Sequence, residues 1–278
     1  MSLAGLGDFN VYYEEFGIGE PLVLINGIGA DHSAWSRQTN VFSKHFRVIV
    51  FDNPGIGATT GPSGPYTSEL LADVLASLLV HQDSGPAHVL GASMGGIVAQ
   101  QLALRHPQLV RSLQLHSTWG SADCQLSAIF HSWKTYAEKV PQLELFRQIW
   151  LWVYTPRWYR ENPQELAEFE RLVIEKPSIQ NSKGFCDQAE ACISHNALDQ
   201  LSTIAAPTLI TGGDCDTLVP QRHAHELKRR IPDALLHIWP QMGHAPFWEI
   251  ADDFNSLCVM FAKAHEGKAG NYLVERVP

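Results

Sequence analysis

No stretch of the 278-residue chain reaches the roughly 18 apolar residues that a membrane-spanning helix requires. The first residues, MSLAGLGDFNVYYEEFG, have neither the basic start nor the apolar block of an export signal, so the expectation is a cytoplasmic protein with no membrane partner. Positive charge is also scarce. Twenty Lys and Arg against 29 Asp and Glu leave a formal net charge of −9, and the cations form no stripe. Binding a phosphate backbone depends on clustered cations that release counterions, so nucleic acid is excluded as a partner. The five cysteines, Cys124, Cys186, Cys192, Cys215 and Cys258, are odd in number and show neither CxxC nor Cys/His ligand spacing. That pattern argues against a disulfide framework and a zinc site and is expected to leave five reduced thiols. No metal and no cofactor are expected.

What remains is 45% hydrophobic and 18% charged, the composition of one globular unit with a substantial core or of a domain carrying a large insertion. No repeat or low-complexity tract interrupts it. Seven short apolar runs read as strands: VYYEEF, PLVLIN, RVIVFD, AHVLGA, SLQLHS, PTLITG and LLHIWP. All but the first are nearly continuous in apolar character, as strands covered on both faces are. Helical patterns alternate with them, most clearly over 68–82, where Leu70, Leu71, Val74, Leu75, Leu78 and Leu79 form one stripe behind a Thr67/Ser68 cap. The alternation predicts an α/β fold with a mostly parallel, doubly wound sheet and a ligand site at the carboxyl ends of its strands.

Between about Trp119 and Gln200 the alternation stops. IFHSWKTYAEKV, LELFRQIWLWVY, PQELAEFERLVIE and KGFCDQAEACISH follow one another without a convincing strand, over a length no plain loop reaches. The expectation is a helical lid at 119–200 inserted after the sixth strand, a core formed by 1–118 and 201–266, and a polar tail at 267–278. Five of the eight tryptophans, Trp119, Trp133, Trp150, Trp152 and Trp158, fall in the lid. Most are read as the lid's own core, with Trp119 and Trp152 as candidates to line a substrate cavity.

The stretch HVLGASMGGIVAQQLAL places Ser93 at the corner between a strand and a helix, with Gly91 and Gly95 two residues to either side. A serine at such a corner takes an unfavourable backbone conformation, which near-absent side chains at those two positions permit. The corner lifts the hydroxyl above the sheet edge and aims the N–H groups of the new helix at the same space. A serine hydroxyl needs a base to become a nucleophile, and the base needs an orienting acid. Later strand ends offer both: PTLITGG runs into Asp214 and Asp216, and LLHIWP into the Gly-His turn of QMGHAPFWE, with His244. The order serine, acid, histidine differs from the two protease orders. A second glycine run, NPGIGATTG, lacks GxGxxG spacing and a following GK[ST], which weighs against nucleotide binding.

With LVLINGIGADHSAW, VIVFDNPGIGATT, GASMGG, GGDCDTLVP and GHAPFWE in place, the chain resembles the α/β-hydrolase superfamily, in its serine branch, over nearly everything outside the lid. In the family's GxxDxxVP pattern Gly213 takes the first position and Asp216 the aspartate. The resemblance therefore implies the triad Ser93, Asp216 and His244, with Asp214 in reserve and Cys215 as packing. It implies an oxyanion hole from the backbone N–H groups of Met94 and Ile28, with Gly27 allowing close approach. Two departures stand out: Asn26 replaces the family's usual histidine before that glycine, and Pro54 replaces the arginine usual in the turn after the fourth strand, where Asp52 serves structure. The short motifs are most similar to small bacterial carboxylesterases, 3-oxoadipate enol-lactonases and aminoacrylate hydrolases. The implied activity is cofactor-free hydrolysis of an ester or lactone of a small, partly apolar molecule through an acyl-enzyme. Carbon-carbon bond hydrolases share SMGG but carry a Gly-Gly-Gly-Pro-Gly loop that is absent here. They and thioesterases are the alternatives within the fold, and a ligand receptor with an intact triad is the alternative outside catalysis. Oligomeric state is left open.

Overall fold

The computed structural model describes residues 2–175 and 182–267. Eight strands form one sheet: β1 (Ser2–Leu6), β2 (Phe9–Phe16), β3 (Pro21–Ile25), β4 (Arg47–Phe51), β5 (Ala87–Ala92), β6 (Val110–His116), β7 (Thr208–Gly213) and β8 (Leu235–Trp239). Their order is β1-β2-β4-β3-β5-β6-β7-β8, antiparallel for the first two pairings and parallel for all the others. Seven of these strands were legible in the sequence. β1 was not: it is an outer, half-exposed strand with a glycine inside it, and pairing with β2 rather than apolar pattern defines it.

Helices α1 (Ser36–Phe42), α2 (Ser68–His81) and α3 (Met94–Arg105) connect the first strands, and α9 (Arg222–Arg230), α10 (Pro246–Glu249) and α11 (Ala251–Lys263) accompany the last. α2 begins as its cap predicts, with the Thr67 side chain accepting from the Leu70 N–H. The near-continuous apolar runs divide between two cores. Val23, Ile25, Ile49, Phe51 and Val89 pack with α2 and α3 on one face, while Leu22, Leu24, Val48, Val50 and Leu90 pack with Trp35, Phe42 and α11 on the other. Each strand thus loses both rows of side chains from water, which is why none of the central strands alternates in polarity.

Between β6 and β7 the chain forms α4 (Cys124–Lys139), α5 (Gln142–Val153), α6 (Pro156–Glu161), α7 (Pro163–Glu175) and α8 (Ser182–Ser194). The only extended pairing there among the described residues is a single bridge, Ser121 to Asn196. The sequence had not resolved α6, a single short segment capped by Thr155 with Pro156 at its first position. The predicted tail at 267–278 lies outside the described residues except for Gly267. All five cysteines are free.

The strand order reverses beside β3: β4 lies on one side of it and β5 on the other. The loops leaving the carboxyl ends of β3 and β5 therefore part in opposite directions and open a crevice, the usual place for a ligand in an open parallel sheet. Asn26–Ser36 leaves β3 there, and Ser93 leaves β5.

Candidate active site

Ser93 joins β5 to α3 at φ 56 and ψ −121, a left-handed conformation that a residue with a side chain holds only under constraint. The flanking glycines have separate reasons. A Cβ on Gly91 would overlap the Gly95 carbonyl, and one on Gly95 would overlap the Ile25 carbonyl at the end of β3. The corner is therefore pressed against the neighbouring strand. The Ser93 N–H donates to the His116 carbonyl at 2.9 Å, and its carbonyl accepts from the Thr118 hydroxyl at 2.8 Å. Thr118 was not anticipated, since nothing local marks a residue that acts 25 positions away.

The acid and the base meet at the other strand ends. His244 Nδ1 lies 2.8 Å from Asp216 Oδ2, and both side chains are almost fully buried. Asp216 Oδ1 accepts from the Leu218 and Val219 N–H groups at 2.9 and 2.8 Å, so its second oxygen is turned toward the imidazole. Asp214 is exposed and instead accepts from the Gln241 N–H at 2.6 Å. The two loops lie against each other: a Cβ on Gly213 would overlap the Met242 and Gly243 carbonyls, and the Cys215 N–H donates to Met242. Cys215 itself is exposed, which corrects its reading as packing; in a tight turn flanked by two aspartates its side chain faces outward.

Ser93 and His244 share a cavity of about 450 Å³ with Asn26, Gly27 and Ile28. Among the described residues, the N–H groups of Ile28 and Met94 donate to no backbone carbonyl. Asn26 braces its loop as the family's histidine would be expected to: its Nδ2 donates to the Phe51 carbonyl at 3.3 Å. Asp52 ties the same loop from β4, accepting from the His32 N–H at 2.9 Å and lying 2.7 Å from His32 Nδ1. That contact, ahead of an opposing effect of burial, raises the His32 pKa.

The insertion supplies much of the wall, through Trp133, Phe146, Ile149, Trp150, Tyr154 and Phe169, and Trp35, Leu218, Phe247 and Trp248 complete it from the core. Two expectations fail here. Trp119 is fully buried against Phe130, away from the cavity lining. Trp152 is half-buried against the main core and does not line the cavity either. A residue that directly follows a strand end can turn inward beneath the sheet edge, and on α5 the face toward the cavity is that of Phe146, Ile149, Trp150 and Val153. The insertion also holds the histidine loop. His244 N–H donates to the Val153 carbonyl at 3.0 Å, and Glu249 accepts from the Thr155 N–H and hydroxyl at 3.2 and 2.6 Å. Burial raises the Glu249 carboxyl above the ordinary glutamate value, against the lowering effect of the Thr155 bonds. Among the described residues no cluster of His, Cys, Asp or Glu could hold a metal ion, and no helix is long and apolar enough to cross a membrane.

A mostly parallel sheet of this order, with a strained serine at one strand end and an Asp-His pair at two others, defines an α/β-fold hydrolase. The chain belongs to the alpha/beta hydrolase fold family, whose sequence profile matches residues 20–251. It is 31% identical, over 94% of its length and 98% of the relative's, to RutD of Azorhizobium caulinodans, named for carbamate hydrolysis. It is 30% identical, over 95% of its length and 94% of the relative's, to the 2-hydroxy-6-oxo-6-phenylhexa-2,4-dienoate hydrolase of Comamonas testosteroni. The crystal structure of the enol-lactonase from Burkholderia xenovorans LB400 superposes with a TM-score of 0.87, covering 94% of this chain and 99% of that one, at 24% identity, a likeness of fold.

Proposed function

We propose that the protein is a cofactor-independent serine hydrolase that cleaves a carboxylic ester or lactone through an acyl-enzyme. The observation that carries this reading is the pairing of His244 with Asp216 beside a cavity that Ser93 also lines. Ser93 Oγ attacks the substrate carbonyl while His244 Nε2 takes the hydroxyl proton, and Asp216 holds the imidazole by its Nδ1–H. The negative charge that develops on the carbonyl oxygen is met by the N–H groups of Ile28 and Met94, the second at the amino end of α3. His244 then returns the proton to the leaving oxygen, and water, deprotonated by the same nitrogen, releases the acid and restores Ser93. In this reading 119–200 acts as a lid over the strand ends and the substrate is a small molecule.

Hydrolysis of a carbamate or of a carbon-carbon bond is the second reading, favoured by the names of two relatives that are 30% or more identical. Steady-state hydrolysis of para-nitrophenyl esters of increasing acyl length, with Ser93→Ala as control, tests the choice. Many turnovers that vanish in the variant are expected. Turnover equal in both proteins would sink the serine assignment, and no turnover in either would move the weight to the second reading.

A further inference from the structure

The cavity is unusually poor in charge. Among the described residues its lining includes eight aromatic side chains, four of them tryptophans, but no lysine and no arginine, and its only carboxylate is Asp31. The Asp31 carboxylate is occupied in capping the short turn that follows it, where it accepts from the Ser33 N–H at 2.9 Å. One cation lies behind the wall. The Arg37 guanidinium sits 4.5 Å from the centre of the Trp248 ring, but it donates to the Trp248 carbonyl at 2.9 Å and is paired with Glu165, which also accepts from the Trp248 indole N–H. Its charge is therefore already matched, and it does not line the cavity.

Tyr154 lines the cavity, and burial above all pushes its phenol well above the ordinary value. A place prepared for negative charge is the start of α3 with the Ile28 and Met94 N–H groups, and on the proposed mechanism that place belongs to the ester carbonyl during reaction. On the serine-hydrolase reading, an acyl group attached to Ser93 would extend into a cavity lined by Phe146, Trp150 and Phe169. A carboxylate there would lose its water with no lysine or arginine among the described lining residues in return, an unfavourable exchange.

We infer that the site takes an ester whose acyl group is uncharged and apolar, preferably one with a flat or branched surface for the aromatic wall, and rejects an acyl group ending in a carboxylate. The kinetic form of this inference rests on the serine-hydrolase reading above, whereas its binding form does not. The test uses a pair matched in length: para-nitrophenyl hexanoate and the mono-para-nitrophenyl ester of adipic acid. At neutral pH kcat/KM is expected to favour the hexanoate by on the order of a hundredfold or more, since each 1.4 kcal/mol is about tenfold. Leu172→Arg places a cation on a partly exposed cavity residue and should raise activity on the adipate ester at least about tenfold. Equal rates on the two esters in the unaltered protein would overturn the inference.

Calorimetric titration of Ser93→Ala with methyl hexanoate and monomethyl adipate separates the two readings. If the intact protein hydrolyses neither nitrophenyl ester but the variant binds methyl hexanoate and not monomethyl adipate, the serine-esterase reading fails and the charge inference stands. Equal binding of both, or binding of neither, overturns the charge inference whatever the kinetics show.

Discussion

Gln188 accepts the Gly29 N–H at 3.1 Å while its own amide donates to the Pro54 carbonyl at 2.8 Å. One fully buried side chain on α8 thus joins the insertion to the loop after β3 and to the turn after β4. Gly29 follows Ile28, the proposed oxyanion donor, and Pro54 stands where the family's arginine is absent. Gly55 and Gly184 touch beside this link, at a distance that a Cβ on either would close. The insertion is therefore built into the support of the site as well as lining its cavity.

Gln188→Leu would leave the Gly29 N–H and the Pro54 carbonyl buried and unpaired, at about 1–3 kcal/mol each, unless the loops move. Movement displaces the donor that meets the transition state more than it weakens ground-state binding. The expected result is a kcat lower by roughly ten- to a hundredfold with KM changed by less than about threefold. Gln188→Glu, which keeps the Gly29 bond but sets a carboxylate against the Pro54 carbonyl, should fall between. A kcat within twofold of the unaltered protein in Gln188→Leu would show that the loop needs no such support.

The backbone at Ser93 gives a prediction about stability. At φ 56 a serine is strained by about 1–3 kcal/mol, and glycine is not. Both Ser93→Gly and Ser93→Ala should abolish hydrolysis, but the glycine variant should be the more stable of the two by about 1 kcal/mol, the lost strain exceeding the extra chain entropy. Denaturant unfolding of the pair measures this directly. An alanine variant as stable as the glycine variant would mean that the corner is relaxed.

Much of this arrangement was legible in the sequence because it depends on local rules. The central strands announced themselves as apolar runs, α2 by its stripe and cap, and the serine corner by glycines whose absence of side chain has a steric cause. What could not be read were contacts set by packing across long separations. Nothing near Gln188 indicates that its amide reaches Gly29, 159 residues away, and nothing near Thr118 marks it as the holder of the Ser93 carbonyl. The tryptophans show the same limit. Trp119 and Trp152 satisfy the rule that large aromatics line cavities as well as Trp133 and Trp150 do, and only the path of the loop after β6 and the rotation of each helix decide which ring turns inward.

The choice between two neighbouring carboxylates gives a third prediction. Asp216 faces His244, whereas Asp214 faces a backbone N–H at the surface. Asp216→Asn should reduce kcat by roughly 10³- to 10⁴-fold, by favouring the wrong imidazole tautomer and removing the charge that stabilises the imidazolium. Asp214→Asn should cost less than about tenfold, through a loosened turn at Gln241. Comparing kcat for the two variants checks the assignment, and the opposite order would transfer the role to Asp214.

Two of the buried histidines outside the site make the fold sensitive to acid. His116 Nδ1 lies 2.7 Å from the Thr211 hydroxyl, and His195 Nδ1 lies 2.9 Å from the Ser68 hydroxyl with its Nε2 3.4 Å from Gln100 Oε1. Burial pushes His116 down to about 3 and His195 down to about 4, against an ordinary value of 6.5. In the unfolded chain both take a proton as the pH falls below 6.5, while the folded protein refuses it until near 4 for His195 and 3 for His116. Their contribution is thus fully present above 6.5 and is lost as the pH drops toward those values, at roughly 1.4 kcal/mol per pH unit for each histidine. Urea unfolding at about pH 7, 6 and 5 should show stability falling steadily, and His195→Asn, though less stable at pH 7, should fall less steeply by about one proton's worth of slope. Parallel pH dependence in the two proteins would mean that His195 titrates alike in the folded and unfolded chains, and the buried neutral ring would have to be given up.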